Sequence, residues 1–93
     1  MEVWLSCSIS PGLFTGEYSV RGYLFDNSEF SMFAQVEDLD FEGEPTPENP
    51  VEGWIKIVKM DAKDDLLLVN LPRPTLENGQ AITVKSNLVK TSQ

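Results

Sequence analysis

The chain of 93 residues carries 15 Asp and Glu against 7 Lys and Arg, a formal net charge of −8, with no histidine, one cysteine and 41% hydrophobic residues. That size suits one globular core, the charge disfavours unaided binding to phosphate backbones or anionic lipid, and a single cysteine excludes an internal disulfide. No apolar run approaches the roughly 20 residues that cross a bilayer as a helix, and the N-terminus has an acid where a signal peptide has a basic residue, so a cytoplasmic protein is expected.

Period-two alternation recurs along the chain, whereas helical periodicity is almost absent. Val3, Leu5, Cys7 and Ile9 alternate with Trp4, Ser6 and Ser8 as a first strand that ends at the turn residues Pro11-Gly12. A second strand over 17–25 places Tyr18, Val20 and Leu24 on the face opposite Tyr23, with Gly22 marking a bulge or a close backbone approach. Asp26-Asn27-Ser28 carries turn chemistry, so this strand and the next form a hairpin. In the third strand Phe30, Met32, Ala34 and Val36 alternate with Ser31, Phe33 and Gln35.

The segment 38–52 then holds six acids, three prolines and no base. Proline lacks an amide donor, and mutually repelling carboxylates resist packing, so residues 37–52 are expected as one long acidic loop. The loop partitions the charge: residues 1–52 carry eleven acids and one base, Arg21, while 53–93 carry four acids and six bases.

A fourth strand is expected over 54–60, with Ile55 and Ile57 inward, followed by a polar turn over 61–65. The apolar run Leu66–Leu71 is expected as a central strand buried on both sides. A short helix over 61–69 is the alternative there, since Asp61 is a fitting cap. Pro72, Pro74 and Glu77-Asn78-Gly79 form the next turn, and a last strand over 81–89 turns Ile82, Val84 and Leu88 inward. No internal repeat or low-complexity tract is read. About six short strands predict an all-β chain forming one small single-domain barrel over 1–93, SH3-like or OB-like, with a two-layer β-sandwich as the alternative. The closing residues Ser86-Asn87-Leu88-Val89 resemble the end of SH3 domains, where a Ser-Asn pair precedes an aromatic residue and a Val. The tyrosine-rich strand start and paired tryptophans of peptide-binding SH3 domains are absent, and the chain is not assigned to that family.

Without histidine the usual neutral-pH base is missing, and no nucleophile has a recognisable elbow, so no enzyme activity and no cofactor are expected. Cys7, among inward residues, reads as a small hydrophobe. Asp38-Leu39-Asp40-Phe41-Glu42-Gly43-Glu44 matches the opening of an EF-hand loop, with oxygen ligands at the first, third and fifth positions and glycine at the sixth. The match fails at Pro45 and Asn49, where an apolar residue and a bidentate Glu belong, and no metal site is assigned.

The alternation also turns aromatic residues outward. Trp4, Tyr23, Phe33 and Trp54, beside the carboxylates Asp38, Asp40, Glu42 and Glu44, are the candidate contacts for a protein or peptide partner, because aromatic rings give large contact area and carboxylates select Lys or Arg. The expected function is a non-catalytic interaction or assembly module, monomer or homodimer, for a basic or proline-containing partner. Two alternatives stand beside it: a weak carboxylate-based divalent-cation binder using the same acids, and a nucleic-acid-associated barrel using Lys56, Lys59, Lys85 and Lys90. Net acidity disfavours the second, and no membrane is implied.

Overall fold

The structure, a computed structural model, describes residues 1–77 and 79–92. The described chain is all-β. Strands β1 (Glu2–Pro11), β2 (Glu17–Tyr23), β3 (Glu29–Gln35), β4 (Leu39–Phe41), β5 (Val51–Lys63), β6 (Leu66–Thr75), β7 (Gly79–Lys85) and β8 (Val89–Ser92) form one curled antiparallel sheet. Its order is β3-β2-β1-β5-β6-β7, with β4 added to β5 and β8 to β1. One-turn 3-10 helices, Val36–Asp38 and Ser86–Leu88, precede β4 and β8.

The inward positions form one core. Leu5 and Ile9 of β1, Val20, Phe30, Met32, Ala34, Ile55, Ile57, Val69, Ile82 and Val84 are buried as the alternation requires, and Val3, Tyr18, Leu24, Leu67 and Leu88 pack against them from partly buried positions. Leu39 and Leu71 join the core beyond that expectation.

Four expectations are corrected. Eight strands are present among the described residues, where five to six were expected. The acidic stretch 37–52 is not one loop: Leu39 and Phe41 bury enough apolar surface to pair with Ile55 and Gly53, which leaves only 42–50 as irregular connector. Asp61 to Lys63 extend β5, and the turn shrinks to Asp64-Asp65, with Asp64 at a φ of 57° that Asp tolerates because its short polar side chain bonds locally. Strand β6 displaces the helical alternative and is buried on one face only; Leu68 is exposed, because no second layer covers the sheet there. Asn78, assigned to the next turn, lies outside the described residues.

The pairing scheme is unchanged when β1 to β4 are exchanged with β5 to β8, so the two halves are related by a pseudo-two-fold axis. Leu5 pairs with Ile55 at that axis, and the pairs Leu5 with Val89 and Ile55 with Leu39 map onto each other. Corresponding residues lie fifty positions apart, as do the two 3-10 turns. The sequence expectation of no internal repeat is therefore overturned at the level of structure. Its trace in the chain is short: Glu2-Val3-Trp4-Leu5 against Glu52-Gly53-Trp54-Ile55. A bulge between Lys59 and Asp61 and an irregularity between Asn70 and Thr75 interrupt the correspondence in the second half.

That irregularity bends the sheet toward closure. Pro72 and Pro74 cannot donate to β7, so pairing lapses after Asn70 and resumes only at Thr75 with Gly79, and β6 also runs beside β3. There Leu76 N–H donates to the Ser31 carbonyl at 2.8 Å, and the Ser31 N–H and hydroxyl donate to the two Glu77 carboxylate oxygens at 2.9 and 2.6 Å. A second tie runs from Phe25 N–H to the Thr83 carbonyl at 2.9 Å.

Two glycines permit close approach. A Cβ on Gly53 would lie 2.6 Å from Ile9 Cδ1 and 2.9 Å from the Asp40 carbonyl oxygen, and one on Gly22 would lie 2.5 Å from the Phe30 ring. Gly53→Ala should therefore destabilise the domain by about 1–3 kcal/mol through overpacking, and Ile55→Ala by about 2–5 kcal/mol through the cavity it leaves. Urea denaturation measures both. Leu67→Ala, at a half-buried position, should cost less than Ile55→Ala, and equal losses would contradict the inner-face assignment.

The Ser31 hydroxyl and N–H hold the Glu77 carboxyl below its ordinary range. A pKa lowered by folding contributes stability above the unfolded value and loses it as pH falls through the folded one. The difference in urea midpoint between the native chain and Glu77→Gln should shrink as pH drops below about 4.3. A gap that stays constant to the acid limit would show that the carboxylate charge plays no part in closure.

Candidate functional site

The residues that face outward at the centre of the sheet are fixed by the β1–β5 register. Trp54 stands between Asp40 of β4 and Ser6 of β1, and Trp4 stands between Lys56 of β5 and Lys90 of β8. Lysine ammonium groups lie over the rings: Lys90 Nζ is 4.2 Å from the Trp54 ring centroid, and Lys56 Nζ is 5.7 Å from that of Trp4. Lys56 also pairs with Glu2 at 2.8 Å, which raises its pKa through the hydrogen bond and the adjacent charge.

Trp4 faces outward as expected but is not open to a partner. The residue is only 8% exposed, and its indole N–H donates to Ser92 Oγ at 3.0 Å. Cross-strand neighbours that sequence spacing does not reveal cover it. Trp54 is half-buried and remains accessible, at the wall of a cleft of about 320 Å³ shared with Asp40, Phe41, Glu42, Glu52, Gly53 and Lys90. Three carboxylates thus surround a tryptophan that already carries a lysine ammonium.

The other candidates separate. Asp38 is a brace, accepting from the Gln35 N–H and from Arg73 Nε, both at 3.2 Å. Glu44 is exposed in the connector and lies outside the Trp54 cleft. Tyr23, 53% exposed, lines a second cleft of about 350 Å³ with Arg21, Glu29 and Glu52, where β1 passes from pairing with β8 to pairing with β2. Phe33 is half-buried opposite Ser19 and lines neither cleft. Of the eight, only Asp40, Glu42 and Trp54 share one site. Glu52 and Lys90 complete it; Glu52 lies two residues before Trp54 on the same face of β5, a spacing that alternation reveals, whereas Lys90 reaches Trp54 only when β8 pairs with β1, so no local motif marks it.

The EF-like spacing does not produce a cage, because strand geometry turns Asp40 outward while Asp38 is drawn to Arg73. Among the described residues no group of three or more His, Cys, Asp or Glu is placed to hold a metal ion. Three of the four candidate lysines are engaged within the domain: Lys56 and Lys90 on the tryptophans, and Lys85 with the Asn27 side-chain oxygen at 3.2 Å. No helix of the described residues is long and apolar enough to cross a membrane. Comparison with protein-family models, with curated proteins and with solved structures finds no match to this chain.

Cys7 is buried on the inner face of β1, and burial, with a smaller effect from the Glu52 charge, pushes its thiol up to about 12. The reactive thiolate is therefore scarce near neutrality. Iodoacetamide at pH 8 should leave Cys7 unmodified in the folded protein and alkylate it rapidly in denaturant, as mass spectrometry would record. Fast alkylation of the folded chain would contradict this packing.

Proposed function

We propose that this domain is a non-catalytic interaction module that receives a basic side chain of a protein partner in the Trp54 cleft. The supporting observation is internal: Lys90 lies over the Trp54 ring in a cleft bearing the Asp40, Glu42 and Glu52 side chains, so the site already holds a cation. An arginine of a partner suits it better than lysine, since a planar guanidinium stacks on indole while its fork of donors meets carboxylates. Lys90 belongs to a short closing strand, β8, and its flexible stem can swing aside as the partner's group enters. The excess of acid in the first half adds long-range attraction for a basic surface, which acts chiefly on the association rate.

The test uses short arginine-containing peptides and their glutamine counterparts, with the two indole N–H resonances followed by NMR. Saturable shifts should appear at Trp54 and at Asp40 and Glu42, with little change at Trp4, and should weaken as salt rises. The triple neutralisation Asp40→Asn, Glu42→Gln and Glu52→Gln should abolish them while far-ultraviolet dichroism stays unchanged. Undiminished binding by the neutralised variant would refute the assignment of this cleft.

A further inference from the structure

The pseudo-two-fold axis allows the outer faces of the two halves to be compared position by position, and they differ in kind. In the first half Ser8, Ser10 and Ser19 face outward; all three are half-buried, in a cleft that also has Pro47 and Pro50 of the connector on its wall. In the second half Val58 and Met60 lie fifty positions from Ser8 and Ser10, and Leu68, one residue out of that register beside the bulge, is the outward residue of β6; they are 64%, 55% and 36% exposed. Ala81 and Thr83 of β7 lie opposite Asn70 and Leu68 and extend the same face. No segment among the described residues crosses it. A contiguous apolar face of this kind, on a sheet whose equivalent face is polar and flanked by its own chain, is the signature of an interaction surface.

We infer that this outer face of β5, β6 and β7 is a two-fold interface with the same face of a second copy of the chain. Charge selects that occupant. The residues 1–52 carry a net charge of −10 and the residues 53–93 one of +2, so two copies repel wherever their first halves meet and approach without that penalty only through their second halves. A two-fold contact is self-complementary, each patch meeting itself. The border of the patch satisfies that condition: Asp61 and Lys63 line a shallow cleft of about 190 Å³ with Leu66, Leu68 and Thr83, so each copy offers one acid and one base to the other's base and acid. The cleft is sized for one apolar side chain, such as the Met60 of the other copy. The bulge beside Met60 breaks regular alternation there and leaves its flexible thioether exposed.

This interface begins at Val58 on β5 and shares no residue with the Trp54 cleft at the start of that strand, so each stands without the other. Sedimentation velocity on the full chain, over concentrations rising to the millimolar range, should show a reversible monomer–dimer equilibrium. Leu68→Lys should raise the dissociation constant by about tenfold or more by placing a buried, unpaired charge in the contact. Ser19→Lys, on the outward face of the first half, should leave it unchanged. Both substitutions are at positions outside the core, and thermal melts verify the fold. Mixed labelled and unlabelled protein supplies a variant-free check, with intermolecular NOEs expected at the Met60 methyl group. A monomer at all concentrations overturns the inference, as does a dimer that survives Leu68→Lys without those NOEs.

Discussion

The rest of the structure hangs on the antiparallel pairing of β1 with β5. These two long strands meet with Leu5 opposite Ile55, both fully buried, and each presents its other edge to two partners in series. β8 and then β2 follow along β1; β4 and then β6 follow along β5. A slip of one residue would turn Leu5, Cys7, Ile55 and Ile57 to solvent and drive both tryptophans and Lys56 into the core. Gly53 is part of the same constraint, since any larger residue would push Ile9 and Phe41 apart at the crossing of β4, β5 and β1.

The same register builds the outer face. With the inner positions taken by aliphatic residues, alternation places Trp4 and Trp54 back to back with the core, and cross-strand pairing decides what lies on them. Trp4 has a lysine on each side and a hydroxyl at its indole N–H, which closes it. Trp54 has an acid on one side and a serine on the other, which leaves it accessible with Lys90 reaching across from β8. Two residues of one type at pseudo-equivalent positions therefore end in different states, one structural and one available for binding, because their neighbours on β4 and β8 carry opposite charges.

The halves have diverged in surface as well as in charge. The first combines acids, outward serines and the proline connector; the second carries most of the bases and outward Val58, Met60 and Leu68. Prolines mark the divergence in both. Pro45, Pro47 and Pro50 lie in the connector that follows β4, whereas Pro72 and Pro74 interrupt the β6–β7 pairing between Asn70 and Thr75, just before Glu77 and Ser31 tie the curled sheet.

Alternation alone determined the all-β class, the inward residues of β1, β2, β3, β5 and β7, and the hairpin at Asp26-Asn27-Ser28, because a period of two is a local property that burial on one face imposes on each strand. Trp54 was legible as a candidate for the same reason, and Asp40 and Glu42 as carboxylates of the acidic stretch. Only the tertiary structure decided that Leu39 and Phe41 make a strand within an acidic, proline-rich stretch, since three residues gain stability there only by pairing with β5. It also decided that Trp4 is covered, that Asp38 is committed to Arg73, and that Lys90 meets Trp54. These facts depend on which strands lie side by side, and so does the pseudo-two-fold, whose halves share a pairing scheme while sharing little more in sequence than a glutamate, a tryptophan and a branched apolar residue.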